Sequence, residues 1–111
     1  MKTDRLLEMA KAEWEGIVKQ LWTASGKPVD SVRFAVYTKS LEAVPLGLLK
    51  TAVNNLLKSH IYATVPQLGE VWLAINNELR RIGCYSIEAW MNRQGTGVYH
   101  YVDGELEEAR L

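Results

Sequence analysis

The residues able to do covalent or metal chemistry are few and scattered. His60 and His100 are the two histidines. They stand far apart, with no cysteine or carboxylate cluster beside either, whereas metal ligation needs three or four converging donors. Cys84 is the single cysteine. As a nucleophile it would need a neighbouring base; directly after Gly83 it reads instead as a small buried thiol at a helix end. Gly95-Thr96-Gly97 and Ser25-Gly26-Lys27 hold the glycines of a phosphate cradle but neither its lysine spacing nor its strand-to-helix setting, so both read as loops. No catalytic, cofactor-binding or metal-binding residue is expected, no cofactor is implied, and the chain is not read as an enzyme.

Groups that bind rather than react are better represented. Trp14, Trp22, Trp72 and Trp90 all fall on apolar faces of expected helices, where core packing is the default. A small bundle buries such bulk incompletely, which leaves one or two of them as interface candidates. Arg80-Arg81 ends an expected helix, where two cations complement the helix dipole and could equally touch phosphate.

The elements that must position these groups are helical. Leu6, Leu7, Ala10, Trp14, Ile17, Val18, Leu21 and Trp22 recur at helical spacing from Asp4 to about Trp22, with Asp4 as the expected N-cap and Gly26-Lys27-Pro28 beyond the end. A second helix is expected from Asp30 or Ser31, with Val32, Phe34, Ala35, Tyr37, Thr38 and Leu41 on its buried side, stopping near Val44 ahead of Pro45. Pro45 opens a third helix whose apolar face is Leu48, Leu49, Ala52, Val53, Leu56 and Leu57. A connector over 59–65 leads to Pro66 and the clearest helix, with Leu68, Val71, Trp72, Ile75, Leu79 and Ile82 inward. Asn76, Asn77, Glu78, Arg80 and Arg81 lie between those positions, and Gly83 is the stop. A short fifth helix starts at Ser86 with Ile87, Trp90 and Met91 inward. After Gly95-Thr96-Gly97, Val98–Val102 has β propensity and Asp103-Gly104 is a turn signal, so a small hairpin or wing competes with an acidic, frayed tail.

The expected fold is therefore all-α: a small bundle of four main helices plus a short fifth, with an irregular C-terminal segment or a small hairpin. Residues 1–97 form one helical domain and 98–111 the hairpin or acidic tail. A chain of 111 residues with 48% hydrophobic and 23% charged residues suits one soluble domain. No apolar window approaches the ~18 residues of a spanning helix. The N-terminal segment is amphipathic rather than signal-like, and a cytoplasmic setting is expected.

Thirteen basic and thirteen acidic residues give a formal charge of zero. That argues against a basic domain whose field alone finds phosphate. The zero is a cancellation, +3 across 26–93 against −3 across 94–111. An acidic end of this kind covers a basic face, meets a basic partner or keeps the chain soluble.

One stretch has a recognisable order. Tyr37-Thr38-Lys39-Ser40-Leu41-Glu42-Ala43-Val44-Pro45 enters a helix carrying Ala52, Val53 and Leu56-Leu57. Ile61-Tyr62-Ala63-Thr64-Val65-Pro66 then leads to Gln67-Leu68-Gly69-Glu70-Val71. From Phe34 to Gly83, about half the chain, this order resembles the small helical domain of phage replication accessory proteins, the helicase loaders and helicase-loading inhibitors. The resemblance implies a non-enzymatic intracellular adaptor that modulates DNA replication by binding a replicative helicase or an initiator, with 103–111 as a short flexible part. Expected partner contacts are Tyr62, Arg80, Arg81 and the acids Glu105, Glu107 and Glu108. The alternative is a helix-turn-helix or winged-helix DNA-binding protein, with the helix over 66–82 as the recognition element and 98–109 as the wing. That reading requires Asn76, Asn77, Arg80 and Arg81 to be exposed on one open face.

Overall fold

Apolar periodicity at helical spacing becomes five α-helices among the described residues, followed by a β-hairpin. The computed structural model describes residues 2–59, 64–94, 99–102 and 105–108, with side chains described over 10–59 and 64–93. Helix α1 spans Lys2–Thr23, α2 Ser31–Leu41, α3 Leu46–Ser59, α4 Leu68–Arg81 and α5 Ile87–Gln94. Strands β1 (Tyr99–Val102) and β2 (Glu105–Glu108) pair antiparallel, Val102 opposite Glu105 and Tyr99 opposite Glu108, and β2 lies beside α1. The expected hairpin is thus present, and the acids of 105–108 are strand rather than helix. Gly95-Thr96-Gly97 and the Asp103-Gly104 turn lie outside the described residues.

Helix ends follow local chemistry. α1 and α4 each stop in the same way. The Lys27 amide donates to the Trp22 carbonyl (3.0 Å) and the Gly26 amide to Thr23 (3.1 Å). At the end of α4, Cys84 donates to Leu79 (2.8 Å) and Gly83 to Arg80 (3.1 Å). Both reversals need a left-handed residue, supplied by Gly26 (φ +70°) and Gly83 (φ +75°). Asp30 caps α2, its carboxylate accepting from the amides of Val32 (3.0 Å) and Arg33 (3.1 Å). Ser86 does the same for α5, accepting from Ala89 (3.0 Å). Two boundaries differ from expectation. The backbone is already helical at Lys2, so Asp4 lies within the first turn instead of capping it. Pro45 and Pro66 stand just before α3 and α4, and the Pro45 carbonyl accepts the first bond of α3 from Leu49 (2.9 Å).

The core lies between α1, α3 and α4. Trp14, Val18, Leu21 and Trp22 from α1 meet Leu48, Leu49, Ala52 and Val53 from α3, and Val71, Ile75 and Leu79 from α4 complete it. Tyr37 and Leu41 are the fully inward residues of α2. Val32 is a correction: it is 73% exposed, and Ala35 is exposed as well. Tyr37 and Leu41 fix the inward direction, and at 3.6 residues per turn Val32 lies roughly 140–180° round from them. Trp72 is half-buried rather than core, because its indole N–H reaches out to the Ser40 hydroxyl (2.9 Å).

A buried long-range hydrogen bond joins α1 to the junction of α2 and α3. The Trp14 indole N–H donates to the Val44 carbonyl at the α2–α3 junction (3.0 Å), with both residues shut off from solvent. Replacing Trp14 by Phe keeps an aromatic ring but orphans that carbonyl. The variant is expected to lose roughly 1–3 kcal/mol of stability in urea titrations, while fluorescence from the remaining tryptophans and the far-UV spectrum still report a folded helical protein.

Candidate partner-binding site

Helix α4 carries the strongest division between an inward and an outward face. Val71, Ile75 and Leu79 point into the core, while Leu73, Asn76, Asn77 and Arg80 are exposed along the opposite side. Their spacing of i, i+3, i+4 and i+7 makes one continuous row. Both helix ends are held. The Gln67 amide donates to the Glu70 carboxylate at 2.7 Å, and the Arg93 guanidinium donates to the Ile82 carbonyl beyond the last turn. The row is therefore presented on a helix with little freedom to fray.

Beside that row, α3 and α4 enclose an open groove of about 370 Å³. Leu56, Leu73 and Ala74 give it apolar surface, and Asn55, Glu78 and Arg81 give it polar surface. Glu78 is only 6% exposed, against the expectation that it sits on the polar face. It falls on the inward line three residues after Ile75, one turn on, and would be an isolated buried charge without partners. Arg81 supplies them through two charge-assisted bonds, Nε to Oε2 at 2.9 Å and Nη2 to Oε1 at 2.6 Å. Asn55 on α3 adds a long contact at 3.5 Å. The bonds from Arg81 hold the Glu78 carboxyl below its ordinary value, against the opposing effect of burial, and the same bonds raise Arg81.

A second cluster surrounds Arg33. Its guanidinium donates to the Tyr37 hydroxyl (2.9 Å) and lies over the rings of Trp22 (5.8 Å) and Tyr37 (5.5 Å). The Tyr37 hydroxyl in turn donates to the Pro66 carbonyl (2.8 Å), and the Ser25 hydroxyl reaches the Thr64 carbonyl (3.0 Å). These bonds tie the entry of α4 to the end of α1 and to α2.

Of the residues expected to touch a partner, Arg80 and Arg81 lie together at the exposed end of α4, with Arg81 already engaged by Glu78. Glu105, Glu107 and Glu108 are brought into β2, opposite Val102, His100 and Tyr99; their side chains lie outside the described residues, as does Tyr62 entirely. His60 and the side chains of His100, Leu6 and Leu7 fall outside them too. Trp14, Trp22 and Trp90 are buried, which leaves Trp72 as the tryptophan with an exposed edge. Cys84 is a buried free thiol at the end of α4. Among the described residues no group of His, Cys, Asp and Glu could hold a metal ion, and no helix is long and apolar enough to cross a membrane. Leu73, 58% exposed on the groove's edge, was not singled out by periodicity. Its signal is an apolar residue beside Trp72, off the inward line. No protein-family model, curated protein or solved structure matches the chain.

The Glu78–Arg81 pair sets a pH dependence. A carboxyl held below its ordinary value of 4.5 adds stability above that pH and loses it as the pH falls through the lowered value. Arg81→Met removes the stabilising donor and leaves burial, which pushes the carboxyl up and reverses the sign. The melting-temperature deficit of this variant against the parent is expected to be largest at pH 7 and to shrink as the pH falls from the variant's raised carboxyl value, above 4.5, down through the parent's lowered one, measured by thermal unfolding at a series of pH values.

Proposed function

We propose that the protein is a non-enzymatic cytoplasmic adaptor that holds another protein against the outward face of α4 and the α3–α4 groove. The observation that carries this reading is Leu73: a large apolar side chain, 58% exposed, on the rim of a groove that Asn77 and Arg81 also line, with Asn76 and Arg80 exposed on the same helix. An apolar anchor beside a concave surface with a polar rim is the anatomy of a protein-binding hot spot. Arg80 is exposed at the end of this row, where its guanidinium can reach an acidic partner residue. The order of residues from Phe34 to Gly83 resembles phage helicase loaders and helicase-loading inhibitors, so the partner we propose is a replicative helicase or an initiator.

One observation favours a second reading, direct DNA binding. Asn76, Asn77, Arg80 and Arg81 are all exposed on α4, as a recognition helix would require. Two others weigh against it: the guanidinium of Arg81 is taken up by Glu78, and eight residues separate α3 from α4, well beyond the 3–4-residue turn of a helix-turn-helix pair. A DNA complex would show binding that falls steeply with added salt, as counterion release demands.

Co-purification with a replicative helicase or initiator at micromolar concentration tests the proposal directly. Leu73→Asp is expected to weaken capture at least tenfold and Arg80→Glu severalfold, with unchanged helical spectra because both side chains are exposed. Absence of binding to any replication protein, together with a salt-sensitive band shift on duplex DNA, would transfer the assignment to the second reading.

A further inference from the structure

A second open pocket, of about 620 Å³, lies where the end of α1 and the start of α2 meet the segment leading into α4. It shares no lining residue with the α3–α4 groove. Pro28, Val29 and Val65 give it apolar walls, and its charged lining is Lys27, Asp30 and Arg33. Two hydrogen bonds tie its sides together. The Ser25 hydroxyl donates to the Thr64 carbonyl (3.0 Å), and the Tyr37 hydroxyl to the Pro66 carbonyl (2.8 Å). A pocket fixed before its ligand arrives loses little binding energy to ordering.

Arg33 is the group placed to choose the ligand. Its guanidinium carbon lies 5.8 Å from the Trp22 ring and 5.5 Å from that of Tyr37, and Nη2 donates to the Tyr37 hydroxyl at 2.9 Å. Among the described residues Nε and Nη1 have no hydrogen-bond partner, and the guanidinium has no ion pair. A planar fork of N–H groups held in one place by two rings matches a carboxylate. Lys27 adds a second cation to the same lining. Asp30 is its one anion, with Oδ1 already accepting from the amides of Val32 and Arg33. Lys27 and Arg33 against Asp30 leave the lining at +1. That balances a monoanion, whereas Asp30 opposes a phosphate dianion or a run of phosphates. The apolar walls ask for an acid group carried on an apolar body, and the volume is that of a small-ligand site.

We propose that this pocket binds a monocarboxylate on a branched apolar body, with Arg33 forked onto the acid group, Lys27 as the second cation and Val29 and Val65 against the body. A free organic acid offers that chemistry, and so does an acidic side chain beside an apolar one in a peptide.

Titration of the full, isotopically labelled chain with N-acetyl-leucine, followed through the amide and arginine Nε–H NMR signals, tests this. The expected result is saturable movement of the Arg33 side-chain signal and of the Lys27, Val29 and Val65 amides, with a Kd on the order of 1 mM. N-acetyl-leucinamide has the body without the charge, and acetate the charge without the body. Each should bind roughly tenfold more weakly, as should inorganic phosphate. A capped Leu-Glu-Leu peptide carries the acid on a side chain: tighter binding than N-acetyl-leucine makes a peptide the source, weaker binding a free acid.

Arg33→Lys keeps the charge but loses the fork, and should weaken binding roughly tenfold with unchanged helical spectra. Lys27→Gln should weaken it severalfold. Asp30→Asn keeps the helix cap while removing the opposing charge, so binding should tighten severalfold. Leu73→Asp should leave it unchanged, which separates this pocket from the partner site. No saturable movement up to about 20 mM N-acetyl-leucine overturns the proposal. So does equal binding of the neutral amide or of phosphate, parental affinity in Arg33→Lys, or weaker binding in Asp30→Asn.

Discussion

The carbonyl of Val44 stands at a chain reversal driven completely into the core. Val44 and Pro45 are both shut off from solvent, and α3 takes its first bond from the Pro45 carbonyl, so Val44 lies just outside the helix's own ladder. A carbonyl in that position has no water to turn to. The Trp14 indole N–H meets it at 3.0 Å, across thirty residues of sequence. That bond does more than satisfy one oxygen. It fixes the rotation of α1 about its own axis and so decides which of its side chains face α3. With Trp14 inward, Val18, Leu21 and Trp22 follow by helical spacing, and Trp22 then offers the ring against which Tyr37 packs at 5.1 Å. The position of α2 and, through the Tyr37–Pro66 bond, the entry of α4 descend from the same constraint.

The outward face of α4 is precise because both helix ends are held by polar bonds of different kinds. The N-terminal end is held by a carboxylate on a backbone amide, and the C-terminal end by a left-handed glycine and a guanidinium on a carbonyl. In the last turn stands the nearly buried Glu78 carboxylate, paired with Arg81 at the helix's final residue. An ion pair with only one member buried is poor evidence for net stability: Arg81 keeps 66% of its side chain in solvent, and the cost of burying Glu78 offsets much of their attraction. Its better-attested consequence is specificity. With Glu78 anchored by Arg81 and touched by Asn55, α3 and α4 meet in one register, and the groove between them keeps a defined width beside Leu73.

Helix existence and most stops were legible in the residues, because periodicity, glycine and proline act locally. Gly26 and Gly83 end α1 and α4 where a left-handed residue is needed, and Asp30 and Ser86 start helices where a side-chain oxygen can reach free amides. The hairpin was legible as one of two readings, from β-rich 98–102 and the Asp103-Gly104 turn. What periodicity could not show was which of two apolar faces on α2 is inward. That choice depends on Trp22 and Pro66, far away in sequence. Nor could it show that Glu78 is buried, because its partner Arg81 reads locally as a helix-end cation. The candidate site divided in the same way: Arg80 and Arg81 were visible as a basic pair, while Leu73 gains meaning only once the helix's inward direction is known.

The same asymmetry explains how a chain of zero formal charge can have polarised surfaces. Charge averaged over 111 residues says nothing about which residues share a face. On α4 the outward row ends in two arginines, one of them bound to Glu78 and the other, Arg80, exposed.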